Sequence, residues 1–447
     1  MNYESAVSYL LSLGRELAAP TQAAAAKFNL ENITILAESL GRPDRAYPSI
    51  HIAGTNGKGS TAAFLESILR CAGLRTGLNT SPHLERINER ICIDGENISD
   101  ELFAEILTRI RNLIEKLLAE SKLRAHPTYF ECVTAVAFEA FSQSKVQFAI
   151  FETGLGGRLD ATNIISPVAT IITRIDFDHE NFLGHSLTEI AAEKAGILKP
   201  GVPAIITAQH PEAQRVLLTR AQEIVAPIID ASSAYQLEIL STYQGCFLAR
   251  ATEISTGWTV SLAPRLPGRF QLQNALNAVA TARLLQNSGY AIPDDAIPSG
   301  IALARWPGRI EKIHIQPDIY LDGAHNPGAA RELSQFLAEN FADRKILMLF
   351  GALRDKSIDE VADLLFPHAA EVIFTEAFTP RAISANQLAE IIGHHAAKFS
   401  VIPSAEAALD AALAKAAPDD AIFITGSLYL VGQLRQYWNQ RRKLAVP

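Results

Sequence analysis

The sequence predicts an α/β protein of two parallel-sheet units, a larger one over residues 1–298 and a smaller one over 299–447. Three observations carry this expectation. Short β-rich apolar runs alternate with segments of 3.6-residue periodicity over most of the 447 residues, which is the pattern of parallel sheets covered by helices on both faces. Hydrophobic residues make up 48% and charged residues 20%, a balance that suits a folded globular chain and excludes long disorder. Pro298, Gly300, Pro307 and Gly308 cluster around a short helical stretch at 297–307. Beyond that boundary roughly 140 residues alternate strand and helix again, enough for one compact domain.

Taken in order, residues 1–13 read as a short amphipathic helix. Strands are expected at 49–53, 76–79, 146–151, 168–173 and 203–206, with helices at 60–72, 130–141 and 187–198. Segment 235–266 breaks the rhythm with short alternating runs rich in Gly and Thr, the signature of an antiparallel meander, and a helix follows at 271–288. In the smaller unit a helix is expected at 327–341 and strands at 345–350, 371–375 and 421–425, while the alanine-rich stretch 405–417 reads as a surface helix.

Acidic residues outnumber basic ones, 48 against 40, and there is no basic tail or stripe. Neutralising a nucleic-acid backbone needs clustered Lys and Arg, so no nucleic-acid partner is expected. A small anionic ligand held by a few local groups fits the same composition. Cys71, Cys92, Cys132 and Cys246 are far apart and form no CxxC pair, which points to reduced thiols rather than a disulfide framework or structural zinc. No apolar run approaches the roughly 20 residues that span a bilayer. The first 13 residues carry Glu4 and neither Lys nor Arg, unlike the basic start of a secretory signal. A cytoplasmic protein with no membrane partner is expected.

The chemistry concentrates where residues 49–53 run directly into Gly54, Thr55, Asn56, Gly57, Lys58, Gly59 and Ser60. Strand, glycine-rich loop and helix start in that order form a phosphate cradle. Glycines let the backbone approach, free N–H groups face the anion, and Lys58 adds a point charge. The loop departs from the general GxxxxGK[ST] pattern, because Ile52 occupies the first glycine position and Gly59 separates Lys58 from Ser60. Glu152 stands where an apolar strand gives way to a glycine-rich loop, the rim at which open α/β sheets hold ligands. Its carboxylate and the Ser81 hydroxyl are the hard donors that a nucleotide's Mg²⁺ takes. Spacing alone leaves His179 a hydrogen-bonded loop residue, Asp176 and Asp178 loop caps, and Lys194 a solvated helix lysine. Phe130 reads equally as helix core. Asp322 and His325 fall where a strand ends and Pro327 begins a helix, so Asp322 alone reads as a cap.

Together these segments carry a resemblance. HIAGTNGKGST, TSPHL, ETGLGGRLDATN, EKAGILKPG and GSLYLVG stand in the order seen in the folylpolyglutamate synthase/dihydrofolate synthase family, relatives of the Mur ligases, and the chain resembles that family over essentially its whole length. The family's own loop is GTNGKGS-like, which accounts for the departures above. The resemblance implies a phosphate-loop ATPase domain of the Mur central type over 1–298, binding ATP and pterin, and a Rossmann-like C-terminal domain over 299–447. It implies ATP contacts along loop 54–60 and at Asn274, Arg309 and Asp322, with His325 close by. Ser81, Glu152 and His179 become magnesium ligands. Lys194 becomes a CO₂-derived carbamate beside a second Mg²⁺, and the catalytic set is Lys58, His179 and Lys194. Pterin contacts fall at Thr128, Tyr129, Phe130 and Glu131, and at Leu159, Asp160 and Ala161.

The activity so implied is an ATP-dependent amide ligase. It would add L-glutamate to dihydropteroate, and to tetrahydrofolate, through an acyl phosphate, and the family suggests a monomer. Two other readings compete. A Mur-type ligase of cell-wall synthesis carries an additional N-terminal domain for its UDP-linked substrate, for which the 53 residues before Gly54 are too few. A non-ligating phosphate-loop protein leaves Glu152, His179 and Lys194 without a purpose.

Overall fold

A computed structural model describes residues 1–14, 29–354 and 356–444, with side chains to Arg442. Its apolar runs become strands buried on both faces. Every residue of β1 (Ser49–Ala53) and of β5 (Phe148–Glu152) is buried, as parallel strands covered by helices require. With β2 (Thr76–Asn79), β3 (Ile91–Ile93), β4 (Glu96–Asn97), β6 (Ala169–Ile172), β7 (Ala204–Ile206) and β8 (Ile228–Asp230) they form an eight-stranded sheet in the order β4-β3-β2-β5-β1-β6-β7-β8. Strands β2 and β5 to β8 run parallel with β1, while β3 and β4 close one edge antiparallel. The strand expected at 146–151 sits later because its register with β1 pairs Ile52 with Glu152, which draws the acid into the last strand position.

The expected meander is present as an antiparallel sheet of β9 (Tyr235–Tyr243), β10 (Cys246–Glu253) and β11 (Thr259–Leu262). Helix Lys58–Cys71 packs between the large sheet and helices Phe270–Asn287 and Ala296–Leu303, in one apolar cluster with the meander. A second cluster joins helices Tyr3–Ser12, Glu31–Ser39, Asp100–Ala119 and Tyr129–Gln143 on the other face.

The second large sheet is built from β12 (Glu311–His314), β13 (Asp318–Leu321), β14 (Ile346–Phe350), β15 (Glu371–Glu376), β16 (Phe399–Ser404) and β17 (Ala421–Thr425). Its order is β12-β13-β17-β14-β15-β16, parallel except at β12. Apolar clusters cover both faces. Helix Ala405–Lys415 is not simply a surface helix: Ala405, Ala408, Leu409 and Ala412 are buried against this sheet. Small side chains at helical spacing let it lie close, a periodicity that high alanine content conceals. Helix Leu187–Ala195 ends earlier than expected, where the Gly196 carbonyl turns away to accept from Asn163 Nδ2 at 3.1 Å. Among the described residues no helix is long and apolar enough to cross a membrane.

Candidate active site

The C-terminal ends of β1, β2, β5 and β6 and the end of β13 open into one cleft, at the rim where parallel sheets present loops to ligands. Residues 54–60 line it, with Ser81, Glu152, His179 and Lys194 from the large sheet's side and Asn274, Arg309, Asp322 and His325 from later in the chain. The structure thus brings together every residue expected at the phosphate loop, at the metal and at the nucleotide.

The loop turns at Gly57, which caps helix Lys58–Cys71 at φ 89°. An L side chain is strained there, and a Cβ would also lie 2.3 Å from Asn274 Oδ1. Asn274 therefore reaches the loop from helix Phe270–Asn287. Lys58 Nζ donates to the Gly54 and Thr55 carbonyls at 3.1 and 3.2 Å and lies 3.9 Å from Glu152 Oε1. Glu152 is buried and accepts from the Ser81 N–H at 3.5 Å. Burial raises its pKa above the ordinary carboxylate range, against the pull of Lys58 and Arg309.

Lys194 is not solvated. It is 4% exposed, and its Nζ donates to the Gly54 carbonyl at 2.9 Å, the same oxygen that Lys58 uses. Burial, and then the Lys58 charge, lower its pKa to about 7, with Asp178, Asp160 and Glu193 opposing. A substantial share of this amine is neutral at physiological pH. The helix that carries it is set by the Ser186/Glu189 capping box. It is stitched to the Gly154–Asn163 loop by Arg158 N–H donating to the Glu193 carbonyl at 2.8 Å.

His179 adopts left-handed backbone, φ 51° and ψ 37°, at the start of the single helical turn Glu180–Leu183, a conformation that non-glycine residues hold only when their surroundings impose it. Beside it, Asp178 meets the smaller sheet's unit. Its Oδ1 accepts from Lys356 Nζ at 2.6 Å, and its Oδ2 accepts from Asn326 Nδ2 at 3.1 Å and lies 3.6 Å from His325 Nε2. Burial would raise the Asp178 pKa, yet Lys356, His179 and His325 hold it well below the usual carboxylate value. Asp178 also accepts from the His179 N–H, and Asp176 from the Phe177 N–H, so both cap their loop as expected. In addition both bridge the two units, Asp176 through Arg331 Nη2 at 2.8 Å.

Half-buried Arg309 lies beside buried Asp322. Burial lowers the guanidinium's pKa against the pull of Asp322 and Glu152, and raises that of Asp322 against the pull of Arg309. Asp322 accepts from Ile310 N–H at 3.0 Å and Ala324 N–H at 2.9 Å, fixing the strand end. The cap of helix Pro327–Phe341 is Asn326, whose amide exchanges hydrogen bonds with that of Asn56 at 3.1 and 3.2 Å.

None of the expected pterin residues is among those lining the cleft. Thr128 and Glu131 form the capping box of helix Tyr129–Gln143, and Tyr129 is buried under the Arg90 guanidinium. Phe130 reaches the cleft's edge: a Cβ on Gly154 would lie 2.5 Å from its ring. Asp160, flanked by half-buried Leu159 and buried Ala161, accepts from Leu155 N–H at 2.9 Å and Thr162 Oγ1 at 2.5 Å and so holds the loop above the cleft. Lys356 and the bridging role of Asp178 have no local signal in the sequence, since Lys356 lies among charged residues that read as a solvated turn, whereas Asn326 carries one as an Asn directly before the Pro that opens a helix.

Two family models match the chain: the Mur ligase middle domain over residues 52–282, and the Mur ligase glutamate ligase domain over 308–428. The chain is 36% identical over 402 residues to the dihydrofolate synthase/folylpolyglutamate synthase of Bacillus subtilis, covering 89% of this chain and 92% of that one. It superposes on a Mycobacterium tuberculosis folylpolyglutamate synthase complexed with ADP at TM-score 0.87 and 31% identity, over 98% of both chains. Against Escherichia coli FolC in complex with DHPP and ADP the values are 0.86 and 30%, over 99% of both.

Proposed function

The chain belongs to the folylpolyglutamate synthase/dihydrofolate synthase family of the Mur ligases, and from that membership we propose that it is an ATP-dependent amide ligase joining L-glutamate to dihydropteroate, to tetrahydrofolate, or to both. The observation that carries this reading is the cleft in which a phosphate loop, a buried acid, a buried lysine and a half-buried arginine meet.

A free carboxylate is a poor electrophile, so it must be activated. The pterin substrate's carboxylate oxygen attacks the γ-phosphorus of ATP, the bond to the β-phosphate oxygen breaks, and ADP leaves an acyl phosphate. The glutamate amine then attacks the acyl carbon and gives up a proton as inorganic phosphate departs. The loop N–H groups and Lys58 hold the phosphates. Arg309, on the opposite wall, would stabilise charge on the transferring phosphoryl group. Asn274 lies against the loop at Gly57 and Asp322 pins the strand end beside Arg309, and both are read as ATP contacts.

The donor set of Ser81, Glu152 and His179 fits Mg²⁺, because Glu152 is a buried carboxylate whose burial cost a hard cation would relieve. Mg²⁺ held there would neutralise phosphate charge during transfer. The neutral Lys194 amine is the form that adds CO₂, forming an N–C bond and releasing a proton. Its carbamate would offer anionic oxygens to a second Mg²⁺. Thr128 to Glu131 and Leu159 to Ala161 are read as the pterin side, supported by Phe130 at the cleft edge. Expected there, Phe130→Ala raises the KM for dihydropteroate while that for ATP holds; the reverse pattern would assign Phe130 to the nucleotide. The division into domains 1–298 and 299–447 is kept as two units, but with the boundary moved past helix Ala296–Leu303, because that helix packs on helix Lys58–Cys71 in the larger unit's core and the second sheet starts only at Glu311. The reading also includes a cytoplasmic monomer acting on small molecules, in keeping with four free cysteines.

ADP release measured in parallel with dihydropteroate, tetrahydrofolate and UDP-muramyl substrates, with and without glutamate, tests the whole. Release should require a pterin carboxylate and glutamate together. Release with ATP alone would indicate a non-ligating nucleotide-binding protein, and release with the UDP-linked substrate a cell-wall ligase.

A further inference from the structure

Outside the cleft, one group of side chains among the described residues has the geometry of a metal site. Asp359, His394 and His395 each offer a ligand atom, and these atoms lie within 4.8 Å of one another. None of the three lines the nucleotide cleft. Helix Ile358–Leu365 presents Asp359 and Asp363 one turn apart, and the 3₁₀ turn Gly393–His395 sets two imidazoles against them. The rings of His394 and His395 are 4.1 Å apart between centroids and inclined by 37°.

His395 is engaged on both nitrogens. Its Nε2 lies 3.0 Å from Asp359 Oδ1, and its Nδ1 lies 3.6 Å from Asp363 Oδ1. Around a tetrahedral Zn²⁺ with bonds of about 2.0–2.2 Å, donor atoms sit roughly 3.3 Å apart, close to the first of these distances. The second puts a carboxylate behind the ligating imidazole, the arrangement that fixes tautomer and ring direction in metal–histidine sites.

We propose that Asp359, His394 and His395 form a surface site for an imidazole-seeking divalent transition ion of the Zn²⁺ class, with Asp363 orienting His395. Two imidazoles in a set of three select against Mg²⁺, which takes oxygen donors. The two histidines would bind through their ring nitrogens as neutral imidazoles. The ion ties the start of helix Ile358–Leu365 to the Gly393–His395 turn. That start follows Lys356, which reaches Asp178 in the cleft, so the staple steadies the segment that delivers Lys356.

The test uses the full chain, stripped with chelator, desalted and kept in excess Mg²⁺ so that oxygen sites are filled. Zn²⁺ is titrated by calorimetry and Co²⁺ by visible absorption. Wild type should bind one equivalent of each and gain thermal stability with Zn²⁺ by mass action. His394→Ala and Asp359→Ala should weaken that binding tenfold or more and lose the Zn²⁺-dependent gain. Without transition metal their melting temperatures should equal that of wild type, because these side chains are peripheral. Wild type that binds no equivalent, or variants that titrate as wild type does, would overturn the site.

Discussion

Lys194 shows how far a side chain's surroundings can depart from its local pattern. On a helix it has every mark of a solvated cation, yet it lies buried under the phosphate loop with its pKa near 7. Lys194→Ala should fold and bind ATP but lose turnover by on the order of 10²-fold or more, as when a transition-state charge stabiliser is removed. Short carboxylic acids should restore part of the rate by filling the vacated oxygen positions, and ADP release with and without acetate reads both effects. His51 is the complementary case, a histidine buried in β1 whose pKa burial pushes down to about 3 from 6.5. Its Nε2 meets Thr162 Oγ1 at 2.8 Å, and that hydroxyl donates onward to Asp160. Between pH 6.5 and 3 the unfolded chain takes up a proton that the folded chain refuses, so folding stability falls as the pH drops, by up to about 1.4 kcal/mol per unit. His51→Gln should flatten the stability–pH curve by that one proton in denaturant titrations between about pH 6 and 4. Parallel curves would show that His51 protonates in place.

Helices and strands were legible where their signals are local. Helix Pro327–Phe341 follows from Pro327 at the first helical position, although its cap is Asn326 and not Asp322, and the periodicity of 130–141 marks the helix whose start the structure fixes with the Thr128/Glu131 box. How closely two helices approach is a different matter. In helix Ala296–Leu303 a Cβ on Gly300 would lie 2.4 Å from the Ile68 Cα, a backbone atom of helix Lys58–Cys71. Glycine in mid-helix costs up to about 1 kcal/mol relative to alanine in isolation, so it marks a forced approach. Gly300→Ala should therefore destabilise by about 1–3 kcal/mol despite the better helix propensity. Because Lys58 opens the second helix, ADP release should fall along with the urea midpoint. A stabilised variant would mean that the helices can move apart freely.

Between the two large sheets the cleft is held by polar bridges, among them one whose side chains are largely buried. Asp178 and Lys356 side chains are 11% and 5% exposed and 2.6 Å apart. Removing one member of such a pair strands the other, a loss of about 3–5 kcal/mol. Lys356→Met should cost that order of stability, whereas Lys356→Met with Asp178→Asn should recover part of it, a coupling of about 1–3 kcal/mol in a double-mutant cycle. Additive single losses in urea unfolding would mean that the bridge is not a coupled pair. Arg435 adds a further tie by pairing with Glu85 of the larger unit while Glu311 of its own unit holds its guanidinium.

The α/β class, the meander, the phosphate loop and the strand-end position of Glu152 could all be read from the chain, because each depends on periodicity or on neighbours a few residues away. Family resemblance then supplied roles for Ser81, Glu152, His179 and Lys194 that spacing alone left open. What could not be read is set by packing between distant segments. The Lys194 amine meets a carbonyl 140 positions away, and Lys356 meets a carboxylate 178 positions away. Burial, and with it the pKa of an amine or the strength of an ion pair, depends on the low-dielectric surroundings that assembled sheets create. A lysine's own neighbours in the chain carry no record of which strand ends will close around it.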